Sequence, residues 1–163
     1  MTQVEAGSLM LALMALALGL AWWGWRRKQS KFAHLGQYLV FDTPTEQSLF
    51  DSAALYVATT LSGQPLERVA VGPLAYRAKA TLSLFPSGLS VSIPGQRPFL
   101  ISQESDIHAG VATWTIDRVV EPEGLVVVQW SLGPETVESY FRLVDGDSSH
   151  LISMINGSRK GIQ

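Results

Sequence analysis

The sequence predicts a mainly β protein. One N-terminal transmembrane helix leads into a seven-stranded antiparallel domain, and a C-terminal helix follows. Three observations carry this. Residues 6–25 hold no charged side chain. From Ala53 onward, short runs alternate apolar and polar residues between Gly/Pro turns. Near the end, apolar residues return at helical spacing.

The first element is "AGSLMLALMALALGLAWWGW", residues 6–25. Twenty residues in a helix rise about 30 Å, the hydrocarbon thickness of a bilayer. Leu, Ala and Met favour helix, and no polar stripe recurs every three or four residues, so this is not a half-buried soluble helix. A signal peptide reads differently. It needs basic residues before the apolar run and a small-x-small site after it, whereas here "MTQVE" precedes and Trp-Gly-Trp-Arg-Arg follows. Trp22, Trp23 and Trp25 fit an interfacial aromatic belt, although packing against the folded domain would also use them. Arg26, Arg27, Lys28 and Lys31 lie just beyond, while the N-terminal flank has no Lys or Arg. The positive-inside rule then puts the N-terminus outside and residues 26–163 in the cytoplasm. These seven residues form the expected membrane-interface anchor, with residues 6–25 in the bilayer. Residues 1–31 are read as helix plus basic flank and 32–52 as a linker, with Pro44 marking a boundary. The β domain is expected over 53–160.

The expected strands are 54–61, 76–85, 89–93, 99–102, 111–120, 125–132 and 136–144. The segment between 61 and 76 is read as a connection and 103–110 as a polar bend. In "YRAKATLSLF", Tyr76, Ala78, Ala80, Leu82 and Leu84 share one face, and Arg77, Lys79, Thr81 and Ser83 share the other. Tyr76, Trp114 and Trp130 are expected in or near the core. Asp145-Gly146-Asp147 is a turn able to cap a helix. Leu151, Met154 and Ile155 give that helix an apolar stripe, and Asn156-Gly157 is the expected stop.

Seven antiparallel strands closed by one helix is the order of a pleckstrin-homology (PH)-like barrel. "ATWTIDRVVEPEGLVVVQW" (112–130), "ALYVATTLSGQPLERVAVGPLAYRAKATL" (54–82) and the order apolar helix, WW, RR, strands resemble a family of small bacterial single-pass membrane proteins with a PH-like domain. Members have been labelled export or membrane proteins. The resemblance implies a PH-like barrel on the cytoplasmic side of the inner membrane and supplies no catalytic motif.

Composition narrows function further. There is no cysteine, which removes disulfides, thiol nucleophiles and thiolate metal sites. From Phe32 onward 8 basic and 13 acidic side chains give a net charge of −5, a poor match to nucleic acid. His34, His108 and His150 lack metal-ligand spacing, and no P-loop, G-x-G-x-x-G or G-x-S-x-G is present. Asp117, Glu121 and Glu123 cluster at one turn and are read as solvated strand ends. Asn156-Gly157-Ser158 matches a glycosylation sequon, which a cytoplasmic domain would not use. Neither enzymatic activity, cofactor nor metal is expected. Arg77 and Lys79 form the one candidate ligand or lipid face, although the following "PSG" loop lacks the basic residues of phosphoinositide-binding PH domains. The expected role is docking of a protein partner at the membrane. Lipid-headgroup recognition and accessory service in a transport or export complex are the alternatives.

Overall fold

A computed structural model of the chain describes residues 3–112 and 125–158. The chain divides into two compact units, Met1–His34 and Leu35–Gln163. The first holds helix α1 (Gln3–Ser30). Its stretch Gly7–Gly24 is wholly exposed and is long and apolar enough to cross a membrane. An N-terminal signal sequence passes the same test.

The second unit is built on an antiparallel sheet. Its strands are β1 (Phe50–Leu61), β2 (Gln64–Arg68), β3 (Ala78–Phe85), β4 (Gly88–Ser92), β5 (Phe99–Ser102), β6 (His108–Val111), β7 (Val126–Leu132) and β8 (Glu135–Leu143). Helix α2 (Ser148–Ser158) ends the described chain. The sheet order is β5-β4-β3-β1-β8-β7-β6, with β2 paired to the far half of β1. β5 and β6 therefore lie at opposite ends, so among the described residues the expected barrel is an open sheet. Closure needs a ladder between the end strands, and β5 instead meets Val40, whose carbonyl accepts from Leu100 N–H at 2.8 Å.

Alternation sets the two faces. Inward-facing Tyr56, Leu82, Leu84, Leu89, Val91, Ile101 and Phe141 are buried, and Leu151 and Ile155 of α2 join them. Asp147 caps α2 as expected. Ser149 and His150 N–H donate to its Oδ1 at 2.8 and 3.4 Å. The Ser149 hydroxyl and N–H hold the Asp147 carboxyl below the usual carboxylate range. Phe85 and Gly88 close a tight β3–β4 hairpin. Gly88 has φ +147°, and a Cβ there would fall 2.2 Å from the Ile101 carbonyl oxygen.

A chain of polar groups crosses the core. Trp130 Nε1 donates to Ser139 Oγ at 3.0 Å, and Ser139 Oγ lies 2.7 Å from Thr59 Oγ1. Tyr56 Oη lies 2.9 Å from Thr59 Oγ1 and 3.0 Å from the Leu74 carbonyl. A carbonyl only accepts, so the single phenol proton goes to Leu74, Thr59 donates to Tyr56 and Ser139 donates to Thr59. Burial pushes the Tyr56 phenol well above its ordinary pKa.

Several expectations change. β1 begins at Phe50, inside the expected linker. β2 occupies part of the expected connection, and β6 occupies the expected bend. Both are short and polar enough to hide their period. The expected strand 111–120 and Trp114 fall almost wholly outside the described residues, as do Asp117, Glu121 and Glu123. Tyr76 is 71% exposed, because β3 begins only at Ala78 and the alternation does not reach it. Trp130 is buried as expected. α2 runs past Asn156-Gly157 to Ser158. Asn156 instead clasps β6: its Nδ2 donates to the Ala109 carbonyl at 2.8 Å and its Oδ1 accepts Ala109 N–H at 3.0 Å.

Replacing Ser139 by Ala strands the Trp130 N–H and removes the donor to Thr59. Chemical denaturation of the Leu35–Gln163 unit should show a loss of about 1–3 kcal/mol. Thr81→Ala on the exposed face should stay within about 0.5 kcal/mol.

Candidate functional site

The candidate surface is the outer face of the sheet. Parity follows from the core: Thr59 and Ser139 point inward, so Thr60 and Glu138 point outward, as do Tyr140 and Arg142 further along β8. Two groupings of side chains lie on this face.

The first is cationic. Lys79 pairs with Leu55 and Leu55 with Arg142, so one row crosses β3, β1 and β8. Lys79 and Arg142 are both exposed and stand about 10 Å apart at Cα. Arg77, also exposed, precedes β3 in sequence. Arg68 ends β2 opposite Thr60, and its Nη2 donates to the Val57 carbonyl at 3.5 Å. Val57 falls where the β1–β8 register shifts between Tyr56 and Ala58. Arg77 and Lys79, both expected from the sequence, are thus joined by Arg142 and Arg68, which local reading missed.

The second is a groove of about 340 Å³ over β6, β7 and β8. One row runs His108, Gln129, Glu138, Thr60, and the next Gly110, Val127, Tyr140, Ala58. Glu138 is its centre. Ser62 Oγ donates to Glu138 Oε1 and Tyr140 Oη to Oε2, each at 2.8 Å. Gln129 Nε2 donates to Ser62 Oγ at 3.3 Å. Burial, reinforced by the hydrogen bond to Glu138 and by its negative charge, raises the Tyr140 phenol above its ordinary pKa; Thr60 opposes this. His108 stands at the rim with Nε2 3.7 Å from Asp106 Oδ1. The sequence held a signal for this group. In "TVESYFRLV", Glu138, Tyr140 and Arg142 alternate with Val137, Ser139 and Phe141.

In the N-terminal unit, Trp22 and Trp23 are exposed, and the Arg26 guanidinium carbon lies 5.4 Å from the Trp22 ring centroid. Lys31 Nζ stands 5.1 Å from the Phe32 ring centroid. The side chains of Trp25, Arg27 and Lys28 lie outside the described residues. His34, His108 and His150 are exposed, and no group of three or more His, Asp or Glu residues able to hold a metal occurs among the described residues.

Residues 37–154 match the family described as Bacterial PH domain-like. The match covers well over half of the chain, so the chain belongs to that family. No curated protein matches it.

The raised Tyr140 phenol has a definite sign. The folded state keeps this proton to higher pH than the unfolded chain does. Its stabilising contribution is therefore complete below about pH 10 and is lost as pH rises through the folded pKa. Buried Tyr56 acts in the same direction. Glu138→Gln removes the neighbouring charge, so an ultraviolet tyrosinate titration should show the Tyr140 step moving back toward lower pH.

Proposed function

We propose that this bacterial PH domain-like protein is a single-pass protein of the inner membrane whose cytoplasmic domain docks a protein partner at the membrane face. Residues 6–25 span the bilayer. Trp22, Trp23 and Trp25 sit at headgroup level, and Arg26, Arg27, Lys28 and Lys31 hold the following chain on the cytoplasmic side. The domain binds without catalysing, and it uses neither metal nor cofactor.

The carrying observation is an uncharged, fully exposed helical stretch, Gly7–Gly24, ahead in sequence of a separate compact β unit with a groove on its outer face. Exposed apolar surface of that extent needs a cover, and a bilayer supplies one. The charge asymmetry between the flanks of the helix supports the orientation.

A reporter that works only in the cytoplasm should be active when fused after Gln163, and a reporter that works only in the periplasm should be silent there. The opposite pattern overturns the orientation. Proximity labelling from the C-terminus should then enrich a reproducible partner that solubilises with the chain in detergent. Failure to recover one counts against docking.

Anionic-lipid recognition is the second reading, favoured by the row that adds Arg142 to Arg77 and Lys79. Here the Leu35–Gln163 unit alone should bind phosphatidylserine vesicles in a salt-sensitive way, and Lys79→Glu with Arg142→Glu should abolish this. Absence of binding by the unaltered unit removes this reading. A subunit role in transport or export requires further chains, since a single helix cannot enclose a path; crosslinking in native membranes reports on that.

A further inference from the structure

The cations of the outer face lie between two acids. Lys79, Leu55 and Arg142 form one row across β3, β1 and β8, with Lys79 and Arg142 about 10 Å apart at Cα. Arg77 lies two residues before Lys79, about 7 Å along the chain. The β1–β3 register pairs Tyr56 with Ala78, so its next step brings Arg77 toward Val57. The Arg68 guanidinium is directed to the same place and donates to the Val57 carbonyl. All four cations are exposed, and among the described residues none of them has an ion pair. Like charges gathered around the half-buried Leu55 and Val57 repel one another, and an anion laid over them relieves that repulsion.

The same face limits what the anion is. Asp51, exposed on the outer side of β1, stands four residues before Leu55, about 13 Å away. Glu138 stands four residues before Arg142 on β8, about as far in the opposite direction, because it pairs with Thr60. A bilayer surface pressed on this face would meet both carboxylates, which anionic headgroups repel. A chain segment that crosses the strands along the row avoids both. The row beside it carries no charge: Thr81 pairs with Ala53, and Val144 N–H donates to the Ala53 carbonyl at 2.8 Å. Ala53 and Val144 are exposed, an apolar strip alongside the cations.

We infer that this row binds an acidic segment of a protein partner, laid across β3, β1 and β8 between Asp51 and Glu138. Charge selects the occupant, and spacing fits it. Alternate side chains of an extended segment stand about 7 Å apart on one side. Two carboxylates at i and i+2 therefore reach Lys79 and Arg142, whose own long side chains close the rest of the span. The arginines offer paired N–H donors that a carboxylate accepts in one plane. Asp51 and Glu138 set the angle, since a segment turned to run along the strands would meet them. From Phe32 onward the chain is net negative, so the attraction is local, within a Debye length of about 8 Å. The inference rests on the docking role proposed above and names the partner's chemistry; an anionic lipid surface on the same row is the rival outcome.

The test uses the full chain in micelles of an uncharged detergent and a fluorescently labelled short peptide with a central Glu-Val-Glu. The comparison peptide carries Gln-Val-Gln at the same place. Anisotropy at physiological ionic strength should show the Glu peptide binding about fivefold or more tightly than the Gln peptide. Arg142→Glu should remove that advantage. Arg97→Glu, on the exposed turn between β4 and β5, changes net charge equally and should leave it in place. The peptide comparison needs no altered protein, so a misfolded variant would not obscure the result. Equal binding of the two peptides, or binding of neither, overturns the site. So does unchanged binding by Arg142→Glu, which assigns the peptide to the basic flank at 26–31. Equal loss in Arg142→Glu and Arg97→Glu also overturns it, by reducing the effect to net charge. Binding of the Leu35–Gln163 unit to phosphatidylserine vesicles that Arg142→Glu abolishes, without peptide selectivity in the full chain, gives the row to lipid and overturns the protein segment. Proximity labelling with Arg142→Glu separates the two levels. If a partner is still recovered while the peptides show no selectivity, this site fails and docking uses another surface. If no partner is recovered even with the unaltered chain, the docking role itself fails.

Discussion

The chain of hydrogen bonds from Trp130 through Ser139, Thr59 and Tyr56 to the Leu74 carbonyl fixes the domain. It links β7, β8 and β1 to the 3-10 turn Gly72–Leu74. Every group in it is satisfied, which is the condition under which buried polar side chains specify a structure. Its consequence is parity. A slip of one residue in β8 would put Glu138 where Ser139 sits, with a carboxylate among Tyr56, Thr59 and Trp130. Because that alternative is so costly, Glu138, Tyr140 and Arg142 are held on the outer face. The surface chemistry therefore depends on a core interaction that it never touches.

The open sheet needs its ends managed, since unpaired strand edges recruit other chains. The two ends are treated differently. At β5, a single backbone bridge from Val40 occupies Leu100. At β6, the side-chain amide of Asn156 imitates a strand, offering one donor and one acceptor to Ala109. The helix that carries Asn156 is fixed by Leu151 and Ile155 in the core and by the Asp147 cap. A helix-anchored amide thus covers one residue of the edge with one donor and one acceptor.

How much of this was legible in the sequence follows from how local each feature is. β3, β4, β7, β8 and α2 lie near their expected spans because alternation, tight turns and a cap are local signals. β2 was hidden because Gln-Pro-Leu-Glu-Arg has no apolar period, and its pairing with β1 is set by a register irregularity near Thr60 and Leu61. β6 was hidden because His-Ala-Gly-Val looks like a bend until β7 pairs with it. Asn156 reads as a helix stop in sequence, since its partner lies 47 residues away. Thr59 and Ser139 look like solvent-facing polar residues, and only the fold makes them partners. Of the cationic row, Arg77 and Lys79 were visible as neighbours on one strand. Arg142 joins them through a register that no local pattern encodes.

The same distances explain why Glu138 and Arg142, both on the outer face, do not pair with each other. Glu138 and Arg142 project from one face of β8 four residues apart, about 13 Å along the strand. That exceeds the Debye length of about 8 Å at physiological ionic strength, so neither neutralises the other. Arg68, nearer in the row, is engaged by the Val57 carbonyl. A partly sheltered carboxylate left in that position needs stabilisation, and Ser62 and Tyr140 provide it with hydrogen bonds alone. Pairing with an arginine would have stabilised Glu138 as well, but it would have consumed the charge. Two neutral hydroxyls hold the carboxylate in place without adding a charge of their own.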